Sequence, residues 1–333
     1  MRLLVTGGAG FIGSAVIRQT IAETDHVVVN VDALTYAGDL RRLGSAGASP
    51  RHHFVHLDIC DGLGLHAVLD AHRPDAVMHL AAESHVDRSI AAPAAFIQTN
   101  VVGTSVLLDQ VLGYWQALAP VARDRFRFLH VSTDEVYGSI DPPARANDDC
   151  SYQPNSPYAA SKAASDHLAR AWHRTWGLPV VTSHGSNTYG PHQHVEKLIP
   201  RMIARAAAGQ PMPVYGSGEN VREWLHVEDH ARALRLLVDR GVPGRSYNVG
   251  TGDERANIDV VRQIAAVLDE LRPAAAPHAR FITSVADRLG HDRRYAMDAD
   301  RIRTELGWTP NVAFNEGLRE TVRLTLAQQA EAR

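Results

Sequence analysis

Directly after the short apolar run 3–6, the chain reads Gly7-Gly8-Ala9-Gly10-Phe11-Ile12-Gly13. Gly7, Gly10 and Gly13 stand at G-x-x-G-x-x-G spacing and open a stretch of helical periodicity over 11–23. Glycines there let backbone approach a pyrophosphate, and the helix N-terminus offers unpaired N–H groups and positive potential. Taken alone, the pattern also fits a plain strand-to-helix turn. Its surroundings narrow the choice. Runs at 27–31, 54–57, 76–80 and 128–131 read as strands, nearly continuous in apolar residues, which predicts burial on both faces. Stretches at 64–71, 94–118 and 157–176 read as helices. Strand and helix alternate at the spacing of an α/β, Rossmann-like doubly wound parallel sheet.

From about residue 177 the pattern changes. Gly190-Pro191, 209–213 and 216–218 are dense in Gly and Pro, with helical stretches at 197–208, 228–239, 258–268 and 298–306 between short strands. This predicts a smaller, interleaved α/β substrate-binding lobe. The division is residues 1–183 for the cofactor domain, with 220–250 contributing to it, and 184–333 mainly for the second lobe. Residues 272–279, rich in Ala and Pro, are the expected weak point of order. The 333 residues suit about two domains. A net charge of -3 gives no basic excess for nucleic acid or an anionic membrane. No apolar run approaches the ~20 residues of a membrane span. Two cysteines, Cys60 and Cys150, exclude a disulfide framework and fit a cytoplasmic location. Eighteen histidines make a metal worth considering, but they do not converge on ligand spacing. Only His192-x-His194 is close, and no metal is expected.

Asp32 ends the second strand, 19 residues after Gly13. A carboxylate there suits the ribose hydroxyls of NAD and repels the extra phosphate of NADP, although a strand-end turn would also use it. Tyr158-Ala159-Ala160-Ser161-Lys162 puts Tyr158 and Lys162 on one helical face, where Lys162 can favour the phenolate. An ordinary exposed Tyr–Lys pair has the same spacing. After the strand 128–131 comes Ser132-Thr133-Asp134-Glu135-Val136-Tyr137-Gly138. Two adjacent carboxylates at the C-terminal end of such a strand face the ligand cleft, where one can be kept protonated as an acid while the other acts as a base. A polar loop with an N-cap is the bland alternative.

The Y-x-x-x-K motif and the glycine spacing resemble the extended short-chain dehydrogenase/reductase superfamily. Residues 132–138 resemble the signature of its dTDP-glucose 4,6-dehydratases, where simple epimerases usually carry small or hydroxyl residues at 134 and 135. Residues 81–89, 156–166, 196–200, 221–224 and 287–295 are similar too, so the resemblance runs from residue 2 to about 310. It implies that Tyr158 takes the C4 hydroxyl proton of a nucleoside-diphosphate hexose while the hydride passes to NAD. Glu135 then removes the C5 proton, Asp134 protonates the departing C6 hydroxyl, and the hydride returns to C6. The cofactor is regenerated each turn and held tightly, and Thr133 positions the sugar.

The same resemblance places Gly7, Gly10, Phe11, Ile12, Gly13, Asp32, Leu34, Thr35, Asp58, Ile59, Leu80, Ala82, Ser84, Thr99, Tyr158, Lys162 and Thr188 at the cofactor. It places Ser84, Thr133, Asn187, Glu196, Lys197, Leu198, Tyr215, Arg222, Asn257, Arg288 and His291 at the nucleotide sugar. Arg222, Arg288 and His291 suit a diphosphate, though each could be a solvated surface charge. The chain departs from the family at His184, Thr188, His192, Val195 and Ser217. These departures bear on nucleobase, hexose and cofactor affinity rather than on reaction type. A homodimer is implied, and Leu168, Ala171, Trp172 and Thr175 give helix 157–176 further surface to bury, against a partner or internally. Two other functions fit the scaffold: a sugar-nucleotide epimerase or decarboxylase, and a catalytically silent NAD-binding protein.

Overall fold

The structure, a computed structural model, describes residues 1–331. Residues 332 and 333, the end of the expected second lobe, lie outside the described residues. Twelve strands follow in chain order: β1 Arg2–Thr6, β2 Val27–Asp32, β3 His52–His56, β4 Ala76–His79, β5 Arg127–Thr133, β6 Val180–Gly185, β7 Asn187–Tyr189, β8 Met212–Tyr215, β9 Val221–His226, β10 Ser246–Val249, β11 Glu254–Ala256 and β12 Ile282–Val285. Seven of them form one parallel sheet in the order β10-β6-β5-β4-β1-β2-β3. The order reverses between β4 and β1, which opens a crevice at their C-terminal ends. The glycine loop leaves β1 at that point.

Burial follows the strand reading except at one edge. β1, β2, β4, β5 and β6 are almost wholly buried, but β3 is only half-covered. Among the described residues its ladder partner is β2 alone, so His52, His53 and His56 take the place that a buried strand would give to apolar residues. One face of the sheet packs on helices Phe11–Glu23 and Val227–Arg240, which also touch each other. The other face packs on Gly62–His72, Thr104–Ala117 and Pro157–Trp176. Leu168 and Trp172 pack inward against this second core, whereas Ala171 and Thr175 are exposed. A third core lies apart from the central sheet, around Ile199, Met202, Trp224 and Ile264.

Helix Pro157–Trp176 carries local start and stop signals. The Ser156 hydroxyl accepts from the Ala159 N–H at 3.1 Å, Pro157 follows at the first helical position, and Gly177 closes the helix at φ +77. The expected single helix over 94–118 is instead three pieces: Pro93–Phe96, a π-helical turn Ile97–Gly103, and Thr104–Ala117. The wider turn presents Asn100 to its neighbours. Its side chain accepts from Glu83 N (2.8 Å) and donates to Glu83 O (2.9 Å) and Ser161 Oγ (2.9 Å). Asn100 therefore ties the loop after β4 to the helix of Tyr158, a use often found for π-bulges.

Around this third core, β11-β9-β7 and β12-β8 form two small sheets. The C-terminal helix Phe314–Glu331, which the sequence reading does not predict, closes the core with Phe314, Leu318 and Val322. Residues 272–279 hold little regular structure. They contain the tight turn Pro273–Ala275 and the start of another, His278–Phe281, where the buried His278 ring bonds Asp269 Oδ1 at 2.6 Å. No helix among the described residues is long and apolar enough to cross a membrane.

Candidate active site

The glycine loop fits a close backbone ligand. Gly7 has φ +73, and a Cβ there would lie 2.6 Å from Ala81 N. A Cβ on Gly13 would lie 2.3 Å from Gly7 O, so helix Phe11–Glu23 could not start so near the loop. Asp32 holds this arrangement: Oδ2 accepts from Ala9 N and Oδ1 from Leu34 N, both at 2.8 Å. The carboxylate thus ends β2 beside the loop, as a dinucleotide ribose requires, and also braces it. Arg42, which no sequence signal pointed out, closes the far side by donating to Ala9 O and Ala37 O.

A cavity of about 270 Å³ begins at this loop. Gly7, Gly10, Phe11, Ile12, Gly13, Leu80, Ala82 and Ser84 line one end, and Tyr158, Lys162, Thr188, Thr133, Asp134 and Glu135 line the other. A second cavity of about 170 Å³ is lined by Asn187, Glu196, Lys197, Leu198, Tyr215, Arg222, Asn257, Arg288 and His291. Glu135, Asn187, Glu196 and Lys197 belong to both linings, so the two cavities meet at Glu135. Ser84 and Thr133, expected near the sugar as well, line only the first; Ser84 O nevertheless accepts from Lys197 Nζ at 2.7 Å. Asp32, Leu34, Thr35, Asp58, Ile59 and Thr99 line neither cavity. Asp58 caps its own turn through Cys60 N, and Ile59 is buried against Gly103.

β5 delivers the acidic pair. Thr133 ends the strand, and its hydroxyl caps the tight turn Asp134–Tyr137 by accepting from Glu135 N at 3.3 Å. The two carboxyls meet different surroundings. Burial, with Glu135 and Glu223 nearby, pushes the Asp134 carboxyl well above the usual range. Asp134 Oδ2 is buried with no hydrogen-bond partner among the described residues. Burial also raises Glu135, but Arg288, Arg222 and Lys197 oppose it. Two carboxyls separated in this way are what an acid and a base side by side require.

An acid raised in the folded state weakens folding as pH climbs above its unfolded value of about 3.9. Asp134→Asn should therefore melt a few degrees above the parent at neutral pH, with the gap narrowing towards pH ~4. Thermal melts at both pH values check this; a gap that does not change with pH contradicts it.

Tyr158 is buried near the start of its helix, packed against Phe96 and Val86. Burial and then the Glu135 charge raise its phenol, while a hydrogen bond with Thr133 works the other way. The Lys162 ammonium, which the spacing places beside Tyr158, donates to Val131 O at 2.9 Å. Burial lowers Lys162, and Asp166 opposes that. The expected lowering of Tyr158 by Lys162 is therefore not produced by these side chains alone; burial and the Glu135 charge dominate.

Beneath the site, Asp166 accepts from His130 Nε2 (2.8 Å), Ser132 Oγ (2.8 Å) and His184 Nε2 (3.2 Å). Burial alone would raise this carboxyl, but the two imidazoles hold it below the usual range. His184, one of the departures, is thus an internal hydrogen-bond partner that also meets Tyr137 and Tyr152. His79 and His278 are likewise buried hydrogen-bond partners. Among the described residues, no group of three His, Cys, Asp or Glu could hold a metal ion.

The second cavity is cationic. Arg222 donates to Val221 O and Asp292 O and stacks 4.1 Å from the Tyr295 ring centroid. Arg288 keeps its Nε buried and unpartnered among the described residues. His291 Nδ1 meets Asp287 Oδ1 at 2.7 Å. Tyr295, whose hydroxyl lies 3.4 Å from Glu135 Oε2, was not singled out from sequence, nor were His85, Asp87 and Arg201. In the first cavity Gln193 and His230 were likewise missed, and His194 stood out only as a possible metal ligand. His192, with φ +70, turns away and meets Gln328 of the last helix at 2.8 Å.

Comparison with known proteins agrees with this geometry. Residues 4–321 match the family described as GDP-mannose 4,6 dehydratase. A dTDP-glucose 4,6-dehydratase from Shigella flexneri is 54% identical over 336 residues, 98% of this chain and 93% of that one. A crystal structure of a dTDP-glucose 4,6-dehydratase from Streptomyces venezuelae, with NAD and dTDP bound, superposes with a TM-score of 0.90 at 45% identity, covering 99% of this chain and 98% of that one. One from Bacillus anthracis in complex with NAD gives 0.87 at 38% identity, with the same coverage.

Proposed function

We propose that this chain, which belongs to the nucleotide-sugar 4,6-dehydratase family, converts dTDP-glucose to dTDP-4-keto-6-deoxyglucose with NAD as its cofactor. The observation that carries the reading is the Asp134–Glu135 pair, set between the two cavities in contrasting surroundings. An epimerase or decarboxylase has no use for such a pair, and a silent NAD-binding protein has no reason to bury it.

The chemistry that NAD supplies when bound is a reversible hydride acceptor and a cationic ring. Gly7, Gly10 and Gly13 hold its pyrophosphate, Asp32 its ribose, and the cavity ending at Tyr158, Lys162 and Thr188 its reacting end. Leu34, Thr35, Asp58, Ile59 and Thr99 belong to the adenosine side. Tyr158 takes the C4 hydroxyl proton, with Thr133 and Lys162 steadying the phenolate. Glu135 removes the C5 proton that the C4 ketone makes acidic. Asp134, kept protonated by burial, donates to the C6 oxygen as it leaves as water. Lys197, Arg222, Arg288 and His291 bind the diphosphate, and Tyr215, Asn257 and Asn187 frame the nucleoside and sugar. Residues 1–183, with parts of 220–250, form the cofactor domain, and 184–333 mainly the substrate lobe. A cytoplasmic homodimer completes the proposal; for the dimer, exposed Ile97 and Val102 on the π-helical turn offer apolar surface to a second copy.

Purified protein incubated with dTDP-glucose should yield a product lighter by one water. A product of unchanged mass inverted at C4, or no change with any of several nucleoside-diphosphate hexoses, contradicts the proposal.

A further inference from the structure

Two side chains in the cofactor cavity are left with a spare acceptor, and Thr188 anchors both. The Thr188 hydroxyl donates to Ser186 O at 3.1 Å. With that proton on Ser186 O, the hydroxyl accepts from His230 Nδ1 at 2.8 Å. This places the imidazole proton on Nδ1 and leaves Nε2 with a bare lone pair. Burial keeps the ring neutral, pushing it down to about 4. The second anchor is the Thr188 carbonyl, which accepts from Gln193 Nε2 at 2.7 Å. A carbonyl can only accept, so the amide nitrogen faces it and Oε1 points elsewhere.

His230 Nε2 and Gln193 Oε1 are both buried and have no partner among the described residues. Both residues line the cavity that contains Tyr158 and Lys162. Gly185 makes room for the imidazole, since a Cβ there would lie 2.5 Å from its Cε1. Two buried lone acceptors in one cavity are costly unless a ligand brings donors to them.

If NAD is the cofactor, the reading on which this inference rests, its reacting ring must reach the Tyr158 end of the cavity. That ring carries a carboxamide, whose NH2 group has two donors and needs two acceptors. We propose that His230 Nε2 and Gln193 Oε1, each oriented by Thr188, accept the two N–H groups of the nicotinamide carboxamide. The pair would set which face of the ring meets the sugar. It makes His230 and Gln193 positioning residues for the cofactor, with no proton transferred by either.

The test replaces the carboxamide with a group that cannot donate. Holoenzyme is equilibrated with an equimolar mixture of NAD and acetylpyridine adenine dinucleotide, and the bound nucleotides are read by mass spectrometry after denaturation. The parent should prefer NAD by roughly 100-fold, about tenfold for each buried acceptor. His230→Leu and Gln193→Met should each lower the preference to about tenfold, and the double variant should bring it near parity. His230→Gln, which restores an acceptor, should recover part of it. A parent that dehydrates dTDP-glucose yet takes up both dinucleotides equally overturns the assignment alone. Folded variants that keep the parent's preference overturn it too. A parent that takes up neither dinucleotide overturns the cofactor reading together with it.

Discussion

Replacing Tyr158 with Phe is expected to lower kcat by roughly three orders of magnitude while the protein still folds and still binds its nucleotide. The hydroxyl is the only atom removed. The ring keeps its packing against Phe96 and Val86, and the N–H of residue 158 keeps its bond to Ser89 Oγ at 3.2 Å. What disappears is the group that takes the C4 hydroxyl proton, and with it the first oxidation. Burial and the Glu135 charge hold the Tyr158 phenol high in the protein by itself, so its ionisation depends on its partners in the loaded site. Steady-state turnover and the nucleotide content of the purified variant check this. A Tyr158→Phe enzyme within tenfold of the parent would remove Tyr158 from the chemistry.

Glu135→Gln should have an effect of similar size on turnover, roughly 10³-fold, but at a later step. Gln keeps the shape of Glu135 and loses the base. Tyr158 is untouched, so C4 oxidation should still occur. The C5 proton then has no acceptor, and the reaction should stop with reduced cofactor accumulating on the enzyme. In deuterated water the parent should exchange hydrogen at C5, and the variant should not. Arg288, Arg222 and Lys197 explain why Glu135 rather than Asp134 carries this role, since they favour its ionised form. Asp134 has Glu223 nearby and a buried unpartnered oxygen, which suits a proton donor. A Glu135→Gln variant that dehydrates at the parental rate would contradict the assignment.

Much of the central sheet and of the catalytic set was legible because it depends on local signals. The glycine spacing after β1, the Ser156-Pro157 start and Gly177 stop of the Tyr158 helix, and the position of Asp134-Glu135 at the end of β5 can each be read within a few residues. What was not legible depends on contacts between distant segments. The π-helical turn at Ile97–Gly103 exists to let Asn100 reach Glu83 and Ser161, and no periodicity announces it. His184 looked like a loop departure until β6 placed it against Asp166. His230 and Gln193, far apart in sequence, both meet Thr188 and line the same cavity. β3 reads as a strand in sequence, but its place at the edge of the sheet, and hence its exposed histidines, follows from the strand order.

The central claim is that one molecule of bound NAD carries a hydride from C4 to C6 of the same sugar around a single loss of water. dTDP-glucose deuterated at C4, turned over by the holoenzyme without added nucleotide, tests it most directly. The product should be lighter by one water and should retain the deuterium, now at C6. A product that has lost the label to solvent, or one that keeps its water and carries the label at C4, would contradict the claim.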